Sequence, residues 1–424
     1  MRRLLALARG PRALSLATQA ASAVLGVLAN TGDGHALGYD AGAELIDMEF
    51  IQFHPTGMVW PPSVRGLLVT EGVRGEGGAL KNSEGRRFMF DDIPPLYKDQ
   101  TADTPEEGWR YVIGDRSARR PAELLTRDHV ARCIVREVKE GRGSPHGGVF
   151  LDIAWIKEKI PNAEEHIKRK LPSMYHQFKE LAGLDITKEP MEVGPTTHYV
   201  MGGLRVDSDT QMSTVPGLFA AGEVAAGLHG ANRLGGNSLS DLLVFGKRAG
   251  EYAAAFANEH GRGTLDPEAI ARARREALSP FERQNGSESI GAYKVQYELQ
   301  DLMQDKVGIV REEATLAEAV EEVVELRKKS EGMAVTGNRQ FNPGWHTYLD
   351  LTNLFTVGEA CARAALAREE SRGAHSRVDF PEKDPEWGKY IIGLKKGPDG
   401  SMEVAKHELP PMPDELKKII EEQG

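Results

Sequence analysis

Four short segments place imidazole or guanidinium groups among glycine and threonine. They are Gln52-Phe53-His54-Pro55-Thr56-Gly57, Val69-Thr70-Glu71-Gly72-Val73-Arg74-Gly75-Glu76-Gly77-Gly78, Thr196-Thr197-His198-Tyr199-Val200-Met201-Gly202-Gly203, and His229-Gly230-Ala231-Asn232-Arg233-Leu234-Gly235-Gly236-Asn237-Ser238-Leu239. Clustered glycine marks places where backbone turns sharply or must approach a bound group closely. Imidazole and guanidinium add hydrogen-bond donors that can carry positive charge. Taken singly, each segment has a plainer reading: His54 before a proline caps a turn, and Arg233 among glycines holds a loop. All four in one chain, beside a strand that ends in Gly222-Glu223, point to a ligand pocket.

The elements that must hold these groups show in the residue pattern. Ala43 to Phe53 reads as a strand pair, or as a helix end leading into a strand. Asp91 to Arg120 is charged and loop-like, and helical patterns cover about 121–140 and 161–183. Val215-Pro216-Gly217 makes a turn before a short buried strand, Leu218 to Gly222-Glu223. Ser238 to Asn258 reads as a helix capped by Gly235-Gly236-Asn237-Ser238. After Gly263 the chain becomes long charged helices. Leu316, Val320, Val323 and Val324, then Leu354, Val357, Cys361, Ala364 and Ala365, keep the 3.6-residue spacing of an apolar face. Beyond Arg377 a Pro-rich, charged tail reads as an extended arm. No internal repeat is visible.

The chain has 424 residues, enough for two or three domains, with 53 Lys+Arg against 63 Asp+Glu and a net charge of -10. That acidic balance argues against a general nucleic-acid binder. The two cysteines, Cys133 and Cys361, cannot build a disulfide framework, a CxxC zinc site or a four-Cys iron–sulfur motif. Redox chemistry would therefore use a bound organic cofactor or a partner's metal, and no metal is expected in the chain itself. Residues 1–32 carry Arg2, Arg3, Arg9 and Arg12 and no acid, the composition of a transit peptide or signal-like leader. A membrane-spanning helix takes about 20 apolar residues, and no such stretch is seen.

The motifs HPTG (54–57), TEGVRGEGG (70–78), HYVMGG (198–203), AAGE (220–223) and GANRLGGNSL (230–239) occur in one order. In that order and approximate spacing the chain resembles the flavoprotein subunit of succinate dehydrogenase and fumarate reductase, from about Thr31 to near Arg377. MVWPPSV, SPHGGVFLD and LPSMYHQFKELA resemble bacterial succinate dehydrogenases more than mitochondrial ones. The resemblance implies an α/β plus α+β fold with several parts. A partial Rossmann-like FAD-binding domain would take residues 31–50 and 198–258, with an α+β capping domain, 51–197, inserted in it. A C-terminal helical bundle would span 264–377 and an arm 378–424, behind a leader, 1–30, of transit-like or artefactual origin.

It further implies oxidation of succinate to fumarate, with hydride passed to FAD. Electrons would go on to an iron–sulfur subunit, then through it to membrane anchor subunits, with no role for nucleic acid. By resemblance His54 and Thr70 hold one end of a C4 dicarboxylate, and His198 and Arg233 the other. A guanidinium fork suits a carboxylate because it binds both oxygens at once. Arg127, within Glu123-Leu124-Leu125-Thr126-Arg127-Asp128, is the family's proton-transfer group, with Glu71 and Arg74 as its relay. Glu223 would bind a ribose hydroxyl, Asn237, Ser238 and Leu239 the flavin at a helix start, and Asp33 another part of FAD. Fumarate reductase and L-aspartate oxidase remain alternatives, as does a non-catalytic remnant. The sequence departs from the family pattern at its start. It contains no GxGxxG, no ribose-binding acid following one, and no histidine for covalent flavin, and only 30 residues precede Thr31-Gly32-Asp33-Gly34. The implied location is peripheral, on the cytoplasmic face of a bacterial inner membrane, or the mitochondrial matrix side if the leader is a transit peptide.

Overall fold

The computed structural model describes residues 31–261, 263–283 and 290–423; the expected leader, 1–30, lies outside them. The chain forms two compact units, one from residues up to Ile51 together with Val200 onward, the other from Gln52 to Tyr199. The first opens with α1 (Asp33–Asp40) and β1 (Leu45–Ile46). The second holds β2 (Ile51–Met58), α2 (Glu71–Gly75), β3 (Ala79–Lys81), α3 (Pro105–Val112), α4 (Arg127–Lys139), β4 (Val149–Asp152), α5 (Ala163–Lys170), α6 (Pro172–Ala182) and β5 (Met191–Val200). The chain then returns through β6 (Gly203–Leu204), α7 (Asn237–His260), α8 (Pro267–Glu282), β7 (Ile290–Gly291), α9 (Ala292–Lys306), α10 (Glu313–Ser330), β8 (Met333–Ala334), α11 (Pro343–Ala367), β9 (Tyr390–Lys396), β10 (Met402–Glu408) and α12 (Asp414–Gln423). Among the described residues no helix is long and apolar enough to cross a membrane.

In the inserted unit the sheet order is β2-β5-β4-β3, with antiparallel pairs such as Leu80↔Leu151 and Val149↔Val193. Strand β2 lies at an edge, which is where a strand can carry Pro55, because proline gives no N–H to a ladder. Helix α4 buries Val130, Cys133 and Ile134, one stripe at helical spacing, in a core with Val73, Leu80, Phe88, Leu151 and Phe178. The expected helix over 121–140 is divided. A 3-10 turn, Ala122–Leu124, follows Pro121, Leu125 and Thr126 are extended, and the helix proper starts at Arg127. The pattern over 161–183 likewise divides into α5 and α6, because Pro172 starts a new helix.

In the other unit the sheet order is β10-β9-β1-β6, with Leu45 pairing both Leu204 and Leu394. The tail expected to be an extended arm contributes the hairpin β9–β10 to this sheet. Its signal was the apolar run Tyr390-Ile391-Ile392-Gly393-Leu394 and the turn Gly397-Pro398-Asp399-Gly400, where Asp399 accepts the Ser401 N–H at 2.9 Å. The helical part packs Val295, Leu299, Val323, Leu326, Leu351 and Phe355 together. On α10 the buried face is Leu316, Ala319, Val323 and Leu326, so it is turned slightly from the expected Val320 and Val324.

Asp47, between β1 and β2, is buried and adopts a left-handed φ of 58°. Burial, then the neighbouring Glu49, push its carboxyl up to about 7 despite the opposing Arg368. The raised folded-state value means the neutral form is favoured. Its contribution to stability is complete below the ordinary carboxylate value and is lost as pH rises toward 7. Asparagine keeps the shape and tolerates the left-handed region. Asp47→Asn is therefore expected to stabilise the protein relative to wild type above about pH 7, with a smaller gain or none near pH 4. Urea midpoints measured across that range check it.

Candidate active site

Alternation along β2 puts Gln52, His54 and Thr56 on one face. His54 is buried, and its Nδ1 lies 3.3 Å from the Thr56 N–H nitrogen and 3.4 Å from Thr56 Oγ1. Thr56 Oγ1 donates to the Val69 carbonyl at 3.0 Å, tying the strand to the segment that enters α2. The ring of His198, on β5, meets His54 edge to face, with centroids 5.4 Å apart. Thr70 caps α2 and is exposed; its Oγ1 accepts the Gly72 N–H at 3.4 Å.

Arg127 begins α4. Its Nη1 donates to Gln52 Oε1 at 3.2 Å and its Nε to Glu71 Oε2 at 3.3 Å. The same Glu71 oxygen lies 3.5 Å from Arg74 Nη2, so one half-exposed carboxylate stands between two guanidiniums. Arg74 is buried and donates to the Glu123 carbonyl, while the Glu123 carboxylate is held by Arg87 at 2.7 Å. Arg74, Arg87 and Glu123 line a small cavity with Trp109 and Trp155. Among the described residues Arg74 Nε and Glu123 Oε2 have no hydrogen-bond partner, which makes the cavity a polar place for water. Sequence reasoning does not single out Gln52 and Glu123 as functional; only the strand alternation and the position of Glu123 four residues before Arg127 hint at them.

The electrostatics are those of a pocket with surplus positive charge. Burial, then Arg74, Arg127 and His198, push His54 down to about 3, so its imidazole is neutral at neutral pH. Burial brings Arg74 down to about 10, with Glu71 opposing and Arg127 assisting. Mutual repulsion of this kind among buried groups is relieved by an anion.

The remaining expected site residues lie in the other unit. Glu223 does not end a ladder strand: Gly222, at φ 77°, turns the chain into a 3-10 turn, Gly222–Val224, and Met212↔Phe219 is a single bridge. Glu223 Oε1 accepts the Val200 N–H at 3.0 Å, and burial raises its carboxyl, with that bond and Arg233 opposing. Glycine is needed at 222 for its φ; a Cβ there would meet only the end of the exposed Leu242 side chain on α7, at 2.5 Å. Asn237, Ser238 and Leu239 are the first three residues of α7, whose N-cap, Gly236, gives no side-chain cap. Leu234, Leu239, Leu242 and Leu243 are exposed around that helix start. Arg233 is buried, with Nη1 3.4 Å from the Leu234 carbonyl, and His229 lies 3.5 Å from Asp241. Asp33 opens α1, accepting from Thr31 Oγ1 at 3.0 Å and from the Asn353 amide.

The match to known families decides how these groups are to be read. An FAD binding domain model matches residues 2–239, and a fumarate reductase flavoprotein C-terminal model matches 296–417. The chain belongs to the succinate dehydrogenase and fumarate reductase flavoprotein family. The fumarate reductase flavoprotein subunit of Mycobacterium tuberculosis is 36% identical over 88% of this chain and 61% of its own length. The succinate dehydrogenase flavoprotein subunit of Coxiella burnetii is 36% identical over 87% and 59%. Among solved structures, Mycobacterium smegmatis Sdh1 in complex with UQ1 superimposes with a TM-score of 0.76 at 50% identity, covering 93% of this chain and 61% of that one. The chain thus spans about three fifths of the length of these relatives. The FAD-domain match takes in residues 2–30, which composition sets apart as a leader.

FAD is the cofactor of this flavoprotein family, and the residues present fit part of it. The first-turn N–H groups of α7 lack a side-chain cap and sit at the positive end of the helix dipole, which suits the electron-rich edge of a reduced flavin. The exposed leucines around that turn suit an aromatic ring system, and Glu223 suits a ribose hydroxyl. The diphosphate has no GxGxxG turn among the 424 residues.

Proposed function

We propose that this chain carries the dicarboxylate chemistry of a succinate dehydrogenase or fumarate reductase flavoprotein subunit, with succinate oxidation as the favoured direction. The observation that carries the reading is the crowding of Arg74, Arg127 and His198 on a buried His54, with Glu71 between the two arginines. A substrate with two carboxylates would relieve that surplus charge. His54, neutral and buried, would donate a hydrogen bond to a carboxylate beside the Thr70 hydroxyl and His198; Arg233, in the other unit, would supply a guanidinium fork for a carboxylate. FAD, held by Glu223 and the first turn of α7, would supply the hydride-accepting chemistry. Arg127 takes the proton from a substrate carbon.

Arginine is ordinarily never deprotonated, so this role requires immediate proton exchange. Glu71 receives the proton across its contact with Arg127 and shares it with Arg74, whose own proton is loosened by burial. Gln52 fixes the guanidinium so that Nε faces the relay. Electrons would leave through an iron–sulfur subunit, itself joined to membrane anchors, and the chain would sit peripherally at the cytoplasmic face of a bacterial inner membrane. The motif departures noted at its start do not touch the proton-transfer residues.

Flavin-loaded protein assayed with an artificial electron acceptor tests the reading. Turnover with succinate, competitive inhibition by malonate and no turnover with L-aspartate are expected. Oxidation of L-aspartate in preference to succinate would overturn it in favour of an aspartate oxidase, and a folded chain that takes up no flavin would make it a non-catalytic remnant.

A further inference from the structure

Asp92, His129 and Cys133 have no part in the chemistry above. His129 and Cys133 stand one turn apart on α4, and Asp92 follows the 3-10 turn Phe88–Asp91. Cys133 Sγ lies 3.5 Å from His129 Nε2 and 3.6 Å from Asp92 Oδ2, and the ligand atoms of all three residues lie within 4.8 Å of one another. A tetrahedral zinc ion has bonds of about 2.3 Å to sulfur and about 2.0–2.1 Å to nitrogen and oxygen, which sets its ligand atoms about 3.3–3.6 Å apart. Both sulfur separations match those edges. A thiolate, an imidazole and a carboxylate together favour a borderline divalent cation over magnesium or calcium.

The surroundings have the other features of such a site. Arg136 Nη1 donates to Asp92 Oδ2 at 2.5 Å, an outer partner that orients the carboxylate. His129 and Cys133 are buried, whereas the Asp92 side chain is 37% exposed, so a cation can enter from that side.

We propose that Asp92, His129 and Cys133 form a zinc-class site, binding one divalent cation through Oδ2, Nε2 and Sγ, with water in the fourth position. On binding, the thiol S–H bond breaks, its proton goes to solvent and a sulfur–metal bond forms. His129 gives up its contact with the Asp92 carbonyl, now 2.7 Å from Nε2, and carries its ring proton on Nδ1. Arg136, which now donates to Oδ2, shifts to Oδ1, the oxygen that the metal leaves open. No electron is transferred. The ion would clamp the end of the 3-10 turn to the first turns of α4, the helix that begins with Arg127.

Cobalt(II) titration of the full chain tests this, because a cobalt–thiolate bond gives a charge-transfer absorption and tetrahedral cobalt gives intense visible bands. The chain has 2 cysteines, so Cys361→Ala leaves Cys133 as the one thiol. Saturation of both absorptions at one equivalent in Cys361→Ala, with displacement by zinc, is expected. Their loss in His129→Ala and Cys133→Ala, with an unchanged far-UV circular dichroism spectrum, is expected as well. Absence of the charge-transfer band in folded Cys361→Ala at saturating cobalt, or its survival in Cys133→Ala, would overturn the proposal. The Cys361→Ala result decides the matter even where the Cys133 variant fails to fold.

Discussion

Arg127→Ala is expected to lower kcat for succinate oxidation, and equally for fumarate reduction, by about 10²–10⁴-fold, the range of a positioned acid–base group. Flavin content and thermal stability should change little. The guanidinium is mostly buried, its bonds among the described residues go to Gln52 and Glu71, and Glu71 keeps Arg74 at 3.5 Å when Arg127 is gone. Arg127→Lys restores the positive charge but not the function. Its single ammonium cannot reproduce a planar fork that reaches Gln52 from Nη1 and Glu71 from Nε. A merely structural ion pair would be largely rescued by lysine, so the Ala and Lys variants together separate the two roles. Gln52→Leu removes the acceptor that sets the fork, and should lower kcat with KM nearly unchanged. Steady-state kinetics over a pH series is the measurement; an Arg127→Ala enzyme within about tenfold of wild type would remove Arg127 from the proton path.

Arg368→Ala is expected to cost about 3–5 kcal/mol, because it breaks a buried ion network by removing one partner. The Arg368 side chain is 2% exposed, and it donates from Nε to Glu49 at 2.5 Å and from Nη1 to Glu370 at 3.0 Å. Both carboxylates have 0% exposed side chains, and the guanidinium also lies over the Phe50 ring at 4.9 Å. Without it, Glu49 faces Asp47, whose carboxyl already stands near 7, and the pair is relieved only by protonation. The deficit should therefore be larger above about pH 7 than near pH 5, since acid neutralises the stranded carboxylates. Glu49→Gln in the same chain should recover part of the loss, as coupling within a network requires. Urea unfolding checks both points. A loss below about 1 kcal/mol would mean that the network contributes no more than a surface pair.

The motifs around His54, Arg74, His198 and Arg233 were legible because glycine, threonine and cationic side chains cluster there in an order one family shares. The resemblance those motifs carry implies the family, its cofactor and the mixed α/β character. Other features depended on contacts between residues far apart in sequence. Glu123 reads as an ordinary helix residue until Pro121 turns the chain and Arg74 meets its carbonyl. Arg311, Arg368, Glu49 and Glu370 read as scattered surface charge, yet they are buried against one another and against His375, 2.8 Å from Arg311. The strand assigned to Leu218–Glu223 failed for a local reason: its residues are apolar enough, but Gly222 takes a positive φ and ends the extended stretch. The hairpin β9–β10 was hidden by the prolines and charges around it, although its turn residues were in view.

The most direct measurement is anaerobic mixing of the flavin-loaded full chain with succinate, followed by the visible flavin absorption. Succinate should bleach the oxidised flavin band and fumarate should restore it, with both changes abolished in Arg127→Ala while flavin stays bound. A chain that holds FAD but whose spectrum answers to neither dicarboxylate would contradict the assignment of His54, Thr70, His198, Arg233 and Arg127 to dicarboxylate oxidation and reduction.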